Sequence, residues 1–175
     1  VKFYYSDYSH TIYDYFSALK KREITYEFFT PFVLSVLFYI LFDSIIPHNK
    51  IEIFFSGFSS VLVNVFAILV GFTISAIAIF TTIDHDKIKF LIEENERSVD
   101  GRKITNFHFI YINLIYSGFV SILMLVATLS SCVLSYIVTE KALASFLAFG
   151  ALHVLFLSIR NITTIYILFA YFSKK

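Results

Sequence analysis

The chain has 175 residues, of which 58% are hydrophobic and 15% charged, and a net charge of +1. A soluble domain carries about 45–50% apolar and about 25% charged residues, so the composition excludes an ordinary soluble globule, and the small net charge removes any general basic field for nucleic acid. Cys132 is the single cysteine, which rules out an intramolecular disulfide and reads as a small core residue.

Residues 1–27 are polar and aromatic, without the compact apolar h-region of a cleavable signal peptide. Tyr8, Ile12, Tyr15 or Phe16, and Leu19 recur at helical spacing; Asp7 suits an N-cap and Lys20-Lys21-Arg22 suit the negative end of a helix dipole. The expectation is an amphipathic helix lying in the membrane interface, or one docked under a neighbouring subunit. Residues 28–175 read as the membrane domain. Its apolar runs are long enough to cross a ~30 Å hydrocarbon core as helices at ~1.5 Å per residue. The first spans about Phe28 to Ile46, opened by Thr30-Pro31 and closed by Pro47; the second spans about Ile53 to Ile83. Beyond it, Ile83, Ile88, Leu91 and Ile92 keep helical spacing, and Asp100-Gly101 marks a turn. This predicts a helical hairpin over about 84–106. The third span covers about Phe107 to Thr139 and the fourth about Ala142 to Phe172. The fold class is therefore all-α: a polytopic four-helix membrane bundle with long helices projecting into the cytoplasm and an N-terminal interfacial helix.

Charge sets the expected orientation. Eleven basic residues (Lys2, Lys20, Lys21, Arg22, Lys87, Lys89, Arg97, Arg102, Lys103, Lys174 and Lys175) fall on one side, against Lys50 and Lys141 on the other. The positive-inside rule puts the eleven, with both termini, in the cytoplasm. The outer connections, Pro47-His48-Asn49-Lys50 and Glu140-Lys141, are short, so surplus helix length must emerge on the inner side.

Polar residues inside the membrane need a reason. Asn64 and His153 both fall near mid-depth, and either clasp each other across spans two and four or form a pore or proton-relay site. Arg160 either snorkels to inner-leaflet phosphates, or pairs with a neighbouring helix or lines a cavity, although no acidic residue is expected at its depth. Asp43 is expected to face His48, Lys50 or solvent. Small residues form stripes: Ala67, Gly71 and Ser75 on span two; Ser117, Ser121, Ala127, Ser131 and Ser135 on span three; Ala144, Ala148 and Ala151 on span four. Such spacing lets helices approach closely, within one bundle or between copies.

No phosphate-binding glycine loop, Cys/His metal set or Ser-His-Asp order is present, and no cofactor is expected. His85 between Asp84 and Asp86 cannot aim three ligands one way on a helix. Arg102 and His108 fit the short Arg-x(4–6)-His pattern of HEPN ribonucleases, but at the start of a membrane helix rather than in a soluble bundle. The segment 84–106 carries six acids and five bases. Asp84, Asp86, Lys87, Lys89, Glu93, Glu94, Glu96, Arg97, Arg102 and Lys103 are its candidate docking residues.

The stretch Leu69-Val70-Gly71-Phe72-Thr73-Ile74-Ser75-Ala76-Ile77-Ala78-Ile79-Phe80, followed by Thr81-Thr82-Ile83-Asp84 in a short four-span chain, resembles small membrane proteins of bacterial anti-phage systems, and among them the membrane subunit of the Kiwa system. The resemblance implies a homotetrameric sensor of infection with a soluble, DNA-binding effector docked on its cytoplasmic side; it carries no catalytic residues across. The expected function is thus a non-enzymatic oligomeric sensor or scaffold that recruits a cytoplasmic protein effector and touches no nucleic acid itself. The alternative is an oligomeric pore that depolarises the membrane, motivated by Asn64, the span-two stripe and Arg160. A membrane-embedded enzyme acting on lipid or RNA, motivated by Arg102, His108 and His153, is the third reading.

Overall fold

The structure, a computed structural model, describes residues 6–82, 95–99 and 102–172. Five helices and one strand pair follow in order: α1 (Ser6–Ala18), α2 (Lys21–Ile45), α3 (Ile51–Thr82), β1 (Asn95–Val99), β2 (Arg102–Thr105), α4 (Asn106–Leu134) and α5 (Glu140–Phe172). Helices α2 to α5 are long and apolar enough to cross a membrane. Helix α2 begins seven residues before the span expected from Phe28, so Glu27 belongs to it rather than to a separate interfacial segment.

Pro31 shapes α2. A proline has no N–H for the carbonyl four residues back, and the helix widens into a π turn over Thr25–Phe29, where the Thr30 N–H reaches the Thr25 carbonyl. Ile46 leaves the helix in an extended conformation, Pro47 follows, and one 3-10 turn, His48–Lys50, reverses the chain into α3. Helix α4 starts where the Thr105 hydroxyl accepts from the His108 N–H at 3.1 Å. It ends at Leu134, and residues 135–139 form the turn into α5 instead of the helical extension expected to Thr139.

The described part of 84–105 is not helical. Strands β1 and β2 pair antiparallel, with Arg97 opposite Ile104, Ser98 opposite Lys103 and Val99 opposite Arg102, and an irregularity between Asn95 and Arg97. A pair at 99 and 102 brackets the dipeptide Asp100-Gly101, the composition that favours two-residue hairpins. The β-branched Val99, Ile104 and Thr105 flank it. Local turn chemistry therefore outweighs the helical apolar spacing upstream. The hairpin lies against α1 and α4.

Helices α4 and α5 form the centre. Of their membrane-crossing windows 56% and 44% are buried, against 17% for both α2 and α3. Helix α4 packs on α1, α3 and α5, while α2 leans on α5. Close approach follows small residues. At Gly118 of α4 an added Cβ would stand 3.0 Å from the Thr73 side chain of α3, and at Gly150 of α5 it would meet the Met124 side chain. The polar stripe of α4 (Ser117, Ser121, Thr128 and Ser131) is buried inside the bundle. Its hydroxyls donate to carbonyls of the preceding turn where those are within reach, as Ser121 to Ser117 and Thr128 to Met124. Ser131 also reaches Ser59 of α3 at 3.4 Å. Phe38 and Phe42 of α2 meet Phe54 and Phe58 of α3 near the α2–α3 turn. At that end Lys141 donates to Asp43 at 2.5 Å, so the partner of Asp43 is the base on α5 and not His48 or Lys50.

Candidate functional site

Two polar regions stand out along the long apolar helices, one buried inside the bundle and one on its outside. The first is built around Glu27. In a regular helix its carbonyl would accept from residue 31, which is proline. The His153 ring fills the vacancy, with Nδ1 2.7 Å from the Glu27 carbonyl oxygen. A carbonyl only accepts, so Nδ1 carries the proton; in the neutral ring Nε2 then accepts from the Tyr116 hydroxyl at 3.3 Å.

The Glu27 carboxylate is fully buried. Its Oε1 is 2.5 Å from Arg160 Nη1, and its Oε2 accepts from the Tyr15 hydroxyl at 2.5 Å. Arg160 Nη2 donates to Asn113 Oδ1 at 3.0 Å and reaches the Tyr15 hydroxyl at 3.4 Å. The guanidinium lies over the rings of Tyr15 and Phe109. Tyr15 stacks on Tyr116 with ring centres 3.6 Å apart. Burial pushes the Tyr15 pKa up; the Arg160 charge opposes the rise and the Glu27 carboxylate adds to it. The cluster thus joins α1 (Tyr15), α2 (Glu27), α4 (Phe109, Asn113, Tyr116) and α5 (His153, Arg160).

This arrangement corrects two expectations, about Arg160 and about His153, and adds the packing of α1. An acidic residue does stand at the depth of Arg160, and the arginine pairs with it instead of snorkelling. His153 does not meet Asn64. Helix α1 is docked on α4 through Tyr15 and Ala18, both buried. The residues missed were Tyr15, Glu27, Asn113 and Tyr116. One signal was readable: a glutamate between Tyr26 and Phe28, four residues before a proline, is a charge with an orphaned carbonyl at the mouth of an apolar run. Chemically the cluster is a clamp. Its carboxylate and guanidinium face each other while the imidazole holds the Glu27 backbone, and such an ion pair holds elements together because removing one partner leaves the other charge uncompensated. Among the described residues no three His, Cys, Asp or Glu side chains converge as a metal site.

The second region is the outer face of α3. Gly57, Ser60, Asn64, Ala67, Gly71, Ser75, Ala78 and Thr82 recur every three or four residues and are all exposed. At 3.6 residues per turn they fill a sector of roughly 80°, over about 38 Å, into which no other residue of 54–82 falls. The sector lies opposite the buried side of α3, made by Phe55, Leu62, Phe66, Thr73 and Phe80. Large exposed side chains flank it: Val61, Ile68, Phe72 and Ile79 on one edge, Ile74 on the other. Nothing stands within 4 Å of a Cβ added at Gly57 or Gly71. The Ser75 and Thr82 hydroxyls donate to carbonyls of their own helix. Asn64 has no hydrogen-bond partner among the described residues.

Of the expected docking residues, Glu96 and Arg97 fall on β1, and Arg102 and Lys103 on β2. Asp84, Asp86, Lys87, Lys89, Glu93 and Glu94 lie outside the described residues. His108 is exposed on the first turn of α4. No family model matches the chain, and neither a curated protein nor a solved structure matches it.

Proposed function

We propose that the protein is a non-enzymatic subunit of a homo-oligomeric membrane assembly in which the outer face of α3 lines a central conduction path. The α3 face carries this reading. A helix side that meets lipid ordinarily presents large apolar groups; α3 keeps those for the flanks and gives its outermost strip to glycine, alanine, serine, threonine and one asparagine. A carboxamide in hydrocarbon without a partner costs several kcal/mol. Copies of α3 gathered around an axis put Asn64 against its equivalents or against water, while the flanking Val61, Ile68, Phe72 and Ile79 pack between neighbours. The strip carries no charge, so the path is neutral. By the positive-inside rule the end bearing α1 and the hairpin faces the cytoplasm of a bacterial inner membrane, with α1 at the interface and the surplus length of the 32-residue α3 and 33-residue α5 on that side.

The purified protein should conduct in planar bilayers. In a Cys132→Ser background, Asn64→Cys should make the current sensitive to a charged thiol reagent. Silent bilayers at several voltages and lipid compositions would sink the pore.

A second reading has its own support. The β1–β2 hairpin, seated on α1 and α4, offers a folded platform for a cytoplasmic effector, as the resemblance to the Kiwa membrane subunit implies for a tetrameric anti-phage sensor. Replacing the charges of 84–106 should then abolish effector capture while insertion is retained.

A further inference from the structure

A cavity of about 330 Å³ opens between the first turns of α2 and the inner third of α5. Arg22 and Tyr26 line one wall; Ile159, Thr163 and Thr164 line the other, and Glu27 with Arg160 closes the floor. Its depth can be set from the far rim, where Lys141 is held by Asp43. Thr163 and Thr164 lie 22 and 23 residues along α5 from Lys141, or about 33–35 Å. That is just beyond a hydrocarbon core of about 30 Å, in the headgroup layer.

The charged lining balances, Arg22 and Arg160 against Glu23 and Glu27, and the basic excess lies in Lys20 and Lys21, which precede Arg22 in the chain. Glu27 is paired with Arg160, and Glu23, the other acid on the wall, has one oxygen on the Lys20 backbone N–H at 2.8 Å. Arg22 lines the cavity and is exposed, as are Lys20 and Lys21 just before it in the chain, and none of the three has an acidic partner among the described residues. The Thr164 hydroxyl has no hydrogen-bond partner among them either, whereas Thr163 donates to the Ile159 carbonyl and keeps its lone pairs. Ile162 and Ile159 at the level of the cavity, with Leu155 one turn further toward Lys141, form an exposed apolar strip on α5. Tyr26 stands beside it, edge-on to Phe156 with ring centres 4.5 Å apart.

We propose that this cavity binds the headgroup of an anionic phospholipid, its phosphate on Arg22 and the Thr164 hydroxyl and one acyl chain along Leu155, Ile159 and Ile162. A basic rim at headgroup depth supplies the charge recognition, and the strip on α5 supplies the apolar contact. The site is independent of the α3 face and of whether the assembly conducts.

The test measures the thermal midpoint of the purified, detergent-solubilised protein with added phosphatidylglycerol, phosphatidylcholine or inorganic phosphate. Phosphatidylglycerol should raise the midpoint by about 3–5 °C, and the other two by much less. Arg22→Gln and Thr164→Val should keep the lipid-free midpoint and lose most of the increment. Equal increments in wild type and both variants would overturn the proposal. So would an equal effect of phosphatidylcholine, an increment from phosphate alone, or no increment from any of the three.

Discussion

The two polar regions of this bundle answer the same demand in opposite ways. At the α1 end, Glu27, Arg160, Tyr15, Asn113, Tyr116 and His153 come from four helices and meet inside the protein. On α3, Asn64 and its small neighbours point away from everything the single chain supplies. Helix α4 sharpens the contrast, since its own serine and threonine strip turns inward and is closed by carbonyls, by α3 and by α5. The first group of polar side chains is satisfied within the chain, and the second faces outward on the small-residue strip of α3. The first kind holds the protomer together; the second is where the assembly should form.

The comparison breaks most visibly at the ion pair. Glu27→Gln or Arg160→Gln should each cost about 3–5 kcal/mol in detergent unfolding, because a buried charge loses its counter-ion. The double variant should cost less than the sum of the two; additive losses would show that the pair is not coupled. Next comes the carbonyl left by Pro31. His153→Phe should cost about 1–3 kcal/mol, and less in a Pro31→Ala background, where the helix regains an N–H for Glu27.

Tyr15 gives a pH test of the same cluster. Its ordinary pKa of 10.0 is raised in the folded chain. Above pH 10 the unfolded chain has lost that proton while the folded chain keeps it, so stability contributed by Tyr15 falls with rising pH, by at most about 1.4 kcal/mol per pH unit. Tyr15→Phe should flatten the fall in the unfolding midpoint between pH 9 and 11; an unchanged slope would argue against the buried hydroxyl.

The α3 face should respond differently. Asn64→Leu should weaken self-association by about 1 kcal/mol per contact, and Gly71→Leu should disrupt it by bulk, both with unfolding of the protomer unchanged. Cross-linking in membranes and unfolding in detergent separate these outcomes. The smallest effect belongs to the Asp43–Lys141 pair, half-exposed on its acidic side. Asp43→Asn should cost about 1 kcal/mol or less, fading in high salt.

What could be read in advance divides along physical lines. Four membrane-crossing helices follow from composition and run length alone, because hydrocarbon admits few other solutions for a backbone without partners. The three- and four-residue recurrence of Ala67, Gly71 and Ser75 was likewise visible, since a helix face is a local property. Asp100-Gly101 reads as a turn from sequence, but the strands on either side of it do not, because Ile83, Ile88, Leu91 and Ile92 upstream keep helical spacing. The partner of Arg160 was not legible. Glu27 stands well over a hundred residues away in sequence and beyond the expected start of its span, and only the packing of α2 on α5 brings the two together. The same holds for Lys141 reaching Asp43.

The sequence by itself determined that four helices are long and apolar enough to cross a bilayer, and which residues share a helix face, because solvent and helical pitch act on each segment separately. The tertiary structure alone decided which faces turn inward. It closed the polar strip of α4, gathered Glu27, Arg160, His153 and the tyrosines into one clamp, and left the α3 strip outside, because those outcomes depend on which helix lies beside which, and no segment carries that information alone.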